Sequence, residues 1–197
     1  MMRRAVVGGL VAVYLCLTAC AAAPFTAGAA VGGVFANDKR NLATMKDDYN
    51  IRYQAGLKLK STPELKSCRI VETTFGQTVL LVGEAPTEAQ RDLAKKVVET
   101  IPHVKYVYNK ITLGSPISAR AQSQDAWITA KVIAQMMGCV DLNATQIKVV
   151  TEDGTVYLMG IVTAHQAYAA GEITRRVEGV QRVVTLFQYA VVTHHAQ

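Results

Sequence analysis

The chain has 197 residues, half of them hydrophobic, enough for one large domain or two small ones with real cores, and this excludes a disordered protein. Its formal charge of +6 is mildly basic; it suits an anionic lipid or glycan surface and is too small to argue for nucleic acid.

Met1 to Arg4 carry two arginines, and Ala5 to Ala19 then run without a charge. That run is short of the roughly 20 residues a membrane span needs, but it suits the apolar region of a secretory signal peptide over 1–19. It closes on Leu17-Thr18-Ala19-Cys20, which resembles the lipobox of bacterial lipoproteins. The resemblance implies cleavage before Cys20 and acylation of its thiol, an attachment that three acyl chains make effectively permanent. Cleavage would remove Arg3 and Arg4 and lower the charge from +6 to +4. Ala21 stands where inner-membrane lipoproteins of enterobacteria carry Asp, so the expected address is the outer membrane, facing the periplasm.

Residues 20–46 are rich in Ala and Gly with no sustained period and read as a lipidated linker. Beyond them the chain repeats itself. "TVLLVG" at 78–83 matches "TVYLMG" at 155–160 with an offset of 77, which also pairs Asp48 with Asp125, Ile51 with Ile128 and Ile70 with Ile147. After the glycine the offset becomes 76 and pairs Thr87 with Thr163, Gln90 with Gln166 and Val107 with Val183.

Each copy predicts the same elements. A helix of about a dozen residues begins after Asp48 or Asp125. An extended run follows from about Arg69 or Gln146, then a turn at Gly76 or Asp153-Gly154. The next strand ends at Gly83 or Gly160, and Thr87-x-x-Gln90 or Thr163-x-x-Gln166 opens a second helix as a capping box. That helix stops near Pro102 or Gly179, and a β-branched and aromatic run closes the unit. The expected fold class is α+β, two tandem αββαβ units at 47–114 and 120–190, each with a three-stranded mixed sheet and two helices, before a polar tail at 191–197. One unit covers a single face of its sheet, and the second copy is the obvious cover for the other.

This order, the "TVxLxG" strand and the capped helix after it resemble the BON domain. A lipobox followed by two such units resembles the dual-BON outer-membrane lipoproteins of Gram-negative bacteria. "DAWITAKVIAQ" and "VTEDGTVYLMGIVT" are similar above all to the phospholipid-binding, division-site branch of that group.

No nucleophile with a base, phosphate loop or metal cluster occurs at motif spacing, so neither enzyme activity nor cofactor nor metal is expected. His103, His165, His194 and His195 read as solvated. Gly83 and Gly160 read as structural, permitting close backbone approach or positive φ. Cys68 and Cys139 either bridge the two halves in an oxidising compartment or sit as small, partly buried residues; sequence supplies no distance to decide.

The stretch "DAWITAKVIAQMMGC" at 125–139 has almost no polar face. At about 100° per residue from Trp127, Ile128, Val132 and Met136 form one stripe near 100° to 180°. Trp127, Ala130, Ile133, Ala134 and Met137 fill a second from about 240° to 360°, with Lys131 near 40° at its border. An open apolar face implies a partner: the other domain, a second molecule, or the lipid interface with Trp at headgroup depth. Family resemblance favours lipid, because it implies an anionic-phospholipid site (phosphatidylglycerol or cardiolipin) on this helix, with Trp127, Lys131, Gln135 and Met137 at matching positions. Ile133 departs from the pattern where relatives carry a basic residue. The resemblance also implies a place near the outer-membrane protein assembly machinery. The alternative is a structural or assembly subunit of an envelope or secretion complex, using this helix as a protein interface.

Overall fold

The structure, a computed structural model, describes residues 42–189. The expected signal peptide, Cys20, the expected linker up to residue 41 and the tail with His194 and His195 lie outside them. The described elements all fall within Asn37–Gln197, a compact unit by itself, which holds everything the fold needs.

In chain order the elements are α1 (Leu42–Ser61), a 3₁₀ turn (Pro63–Leu65), β1 (Arg69–Phe75), β2 (Thr78–Ala85), α2 (Glu88–Glu99), β3 (Tyr106–Asn109) and β4 (Thr112–Leu113). The second copy follows with α3 (Ala119–Met137), a 3₁₀ turn (Ala144–Gln146), β5 (Ile147–Glu152), β6 (Thr155–Val162), α4 (Ala164–Arg175) and β7 (Arg182–Tyr189). In each sheet the first two strands form an antiparallel hairpin and the last runs parallel to the central one. The parallel strand is continuous in the second copy. In the first it breaks at Lys110 and Ile111 and resumes as β4 against the same β2, in the same register.

The first helix of each copy is longer than expected and starts earlier, at Leu42 and Ala119; Ser118 caps α3 by accepting from Ala121 N. Asp48 and Asp125 therefore lie inside their helices, on the buried face, rather than ahead of it. A buried carboxylate must be hydrogen-bonded, and both are, by the hairpin turn of their own copy. Asp48 accepts from Gly76 N at 2.8 Å and Gln77 N at 2.6 Å; Asp125 accepts from Asp153 N at 2.8 Å and Gly154 N at 2.9 Å. Both turn residues of both hairpins have positive φ, the conformation that aims successive N–H groups at one acceptor. The repeat spacing of 77 thus records a clamp between helix and hairpin.

Thr163 and Gln166 complete the capping box of α4. In the first copy Thr87 accepts from Gln90 N and donates its hydroxyl to Gln90 Oε1, while the Gln90 N–H₂ donates to Glu64 O and Ser67 Oγ, so the box is half formed. Gly83 and Gly160 sit within strands rather than ending them. A Cβ on Gly83 would lie 2.0 Å from Arg69 O, and one on Gly160 2.5 Å from Gln146 O; Gly83 also has φ +114.

Three cores result. Ile51, Ala55, Val79, Leu81 and Val98 belong to the first, between α1, α2 and their sheet. Ile128, Val132, Met136, Val156 and Leu158 do the same in the second copy. The third lies between the sheets: Phe75, Leu80 and Val82 meet Tyr157 and Met159, with Val184 and Leu186 beside them. Alternate residues of β2 and β6 therefore serve different cores, which is why both strands read as unbroken apolar runs. The layers run helices, sheet, sheet, helices, so the helices form the two outer layers.

Arg69 ties the copies together at the edge of this sandwich. It pairs with Glu84 at 3.0 Å and with Glu152 of the second copy, while Glu84 also accepts from Ile117 N in the connecting segment at 3.1 Å. Burial pushes the Glu152 carboxyl up to about 7; Arg69 opposes the rise, and Glu84 and Asp125 add to it. Cys68 and Cys139 are free thiols, each packed against the core of its own copy. The bridge between the halves is not formed: the two cysteines serve separate cores on opposite sides of the paired sheets.

Candidate functional site

Helix α3 packs one stripe, Asp125, Ile128, Val132 and Met136, against β5, β6 and α4, and this sets the direction of everything else on it. Trp127, Ala130, Ile133, Ala134 and Met137 lie outside that stripe. Trp127 is 65% exposed, Met137 72% and Ile133 38%, and Ala130, Ala134 and Gln135 are exposed too. The other copy does not cover this face, because the copies meet through their sheets. Of the partners that sequence leaves open, this one is removed.

Lys131 stands at the border and reaches across to the turn that follows α4. Its side chain is 27% exposed, its Nζ donates to Glu178 O at 2.6 Å, and the Glu178 carboxylate lies 3.9 Å away. Lys131 lines a groove of ≈ 500 Å³ between α3 and α4. Ala134, Gln135 and Lys131 form one wall; Ile173, Arg176 and Val177 belong to the other side. Glu172 pairs with Arg175 and stands 4.0 Å from Arg176, whose side chain is 83% exposed.

Sequence reasoning confined the site to one helix and missed the α4 wall, although Arg175-Arg176 beside apolar Ile173 and Val177 was a visible signal. It also understated α1, where Tyr49, Tyr53 and Leu57 are exposed along one side. Net charge does not draw the second copy to anionic surfaces: from Arg120 to Tyr189 six Lys or Arg are matched by six Asp or Glu. Any preference for an anion there must come from local placement. No described helix is long and apolar enough to cross a membrane.

The BON domain family description matches twice, over residues 47–115 and 124–191. The chain belongs to the BON-domain family. Among its BON relatives is the outer membrane lipoprotein DolP of Haemophilus influenzae, 32% identical over 82% of this chain and 84% of that one. Another is the 21 kDa hemolysin of Actinobacillus pleuropneumoniae, 33% identical over 77% of this chain and 79% of that one. CdsD, a structural protein of the type III secretion system of Chlamydia trachomatis, superposes with a TM-score of 0.30 at 14% identity, covering 73% of this chain and 63% of that one. So low a likeness carries no argument. In BON terms, the candidate surface is the first helix of the second domain.

Proposed function

We propose that this BON protein is a non-enzymatic outer-membrane lipoprotein, anchored through Cys20 and facing the periplasm, whose second domain docks on phospholipid through the outer face of α3. Support comes from the relationship to an outer membrane lipoprotein and from one observation above all: Trp127, Ile133 and Met137 leave an apolar helix face open to water. Such a face stands out on a soluble domain, and its make-up fits the bilayer interface, Trp at headgroup level with aliphatic side chains below. Balanced charge in the second domain makes apolar insertion the main contribution. The docked protein supports envelope integrity, at division sites and beside the outer-membrane protein assembly machinery.

The test is flotation of the 37–197 fragment with liposomes containing or lacking phosphatidylglycerol or cardiolipin, beside Trp127→Glu. Wild type is expected to float and Trp127→Glu to stay in solution. No flotation of wild type would sink the lipid reading and favour a protein partner; unchanged flotation of Trp127→Glu would put the site elsewhere.

A further inference from the structure

We infer that a second copy of this chain covers the outer edge of β7, the two β7 strands pairing antiparallel about a two-fold axis at Thr185 and joining two three-stranded sheets into one. The first observation is an open edge. Among the described residues β7 pairs with β6 alone. Arg182 N donates to Gly154 O, so in this parallel ladder Arg182, Val184 and Leu186 turn their N–H and C=O groups to β6, and Val183, Thr185 and Phe187 turn theirs outward. The eight residues of β7 run in unbroken register with no proline, lysine or acid, the residues that ordinarily blunt an edge. The first copy differs: its closing strand breaks at Lys110 and Ile111, and the Asn109 side chain is committed to Arg91 O and Ile111 N.

The second observation is self-complementarity. Antiparallel strands exchange hydrogen bonds between residues that point at each other, and residues directly opposite share a face of the sheet. Centred on Thr185, the pairing sets Val183 against Phe187, both on the helix side, and Val184 against Leu186, both on the side of the other sheet. Thr185 meets Thr185, a favourable cross-strand pair, and Arg182 meets Gln188, so no like charges are opposed. Three outward-facing pairs with two bonds each give about six backbone bonds between the copies. A centre one residue later would set Val184 against Gln188 and Thr185 against Phe187 instead. Val183, Val184, Leu186 and Phe187 are only partly buried in one copy, and a partner strand covers what is left open.

Such an axis stands normal to the sheet and keeps both copies' α3 and α4 on the same side of it. The dimer therefore presents two open α3 faces in one direction, whatever surface those faces meet.

Sedimentation equilibrium and amide hydrogen exchange of the 37–197 fragment, at low and at high concentration, test the pairing. Wild type is expected to dimerise as concentration rises. The amides of Val183, Thr185 and Phe187 should then exchange more slowly, while those of Val184 and Leu186, bonded to β6 throughout, stay protected. Thr185→Lys, at an exposed position, opposes two charges across the axis and should weaken the dimer about fivefold or more. Gln124→Lys, the same charge on an exposed residue of α3, should leave it unchanged. An unaltered far-ultraviolet circular dichroism spectrum shows that Thr185→Lys is folded. A monomer up to millimolar concentration, or a dimer as tight in Thr185→Lys as in wild type, would overturn the pairing. So would protection of the three outward amides in the monomer, which would mean that a segment of the same chain lies on β7.

Discussion

Replacing Asp125 removes the clamp that sets α3, and with it the docking face, against the β5–β6 hairpin. The carboxylate is 6% exposed and accepts two backbone N–H bonds, at 2.8 and 2.9 Å. Hydrogen bonds to a charged group contribute about 1.5–3 kcal/mol each. Asp125→Ala abolishes both and leaves two turn N–H groups without their acceptor, so the expected loss is roughly 3–5 kcal/mol, a large share of a small domain's stability. Asp125→Asn keeps one acceptor oxygen and turns an amide N–H₂ toward the other donor, for an expected loss of about 2 kcal/mol. Asp48→Asn, bonded to Gly76 N and Gln77 N, should behave alike in the first domain. Urea unfolding of the 37–197 fragment, followed by far-ultraviolet circular dichroism, measures each. If Asp125→Ala lay within about 1 kcal/mol of wild type, water would be serving the turn and the clamp would be incidental.

The pH dependence has a definite sign. Glu152 is pushed up to about 7, above its ordinary value, chiefly by burial. Folding therefore favours its protonated form; the associated stability is full below the unfolded value near 4.5 and is lost as pH rises through 7. Urea midpoints between pH 5 and 8 should fall with rising pH in wild type and less steeply in Glu152→Gln, and equal slopes would refute the assignment. At the glycines, Ala is expected to cost more than about 2 kcal/mol at either position, more at Gly83, where positive φ adds to the clash with Arg69 O. Thermal melts of the two variants check the order. A thiol titration of the denatured, unreduced 37–197 fragment should count two free thiols, Cys68 and Cys139; none would mean the bridge forms.

The internal repeat, the element order, both two-residue turns and the stripe that α3 buries were legible in the sequence. They depend on residues a few positions apart: apolar spacing at 3 and 4, a Thr ahead of a Gln, an Asp-Gly pair. Local pattern placed the helix starts after Asp48 and Asp125. Only the tertiary structure shows both aspartates inside the helix, with partners 28 and 29 residues away. The same holds for Gln90, whose capping partner Thr87 is visible in sequence but whose N–H₂ also reaches Glu64 O and Ser67 Oγ, 26 and 23 residues away.

By itself the sequence determined that this protein is a pair of BON units and that its second domain carries a helix apolar on two sides, since periodicity is written along the chain. That the cysteines serve separate cores and that α4 supplies a second wall beside Lys131 were decided only in three dimensions. Those facts depend on which distant residues each surface meets, and no local spacing encodes that.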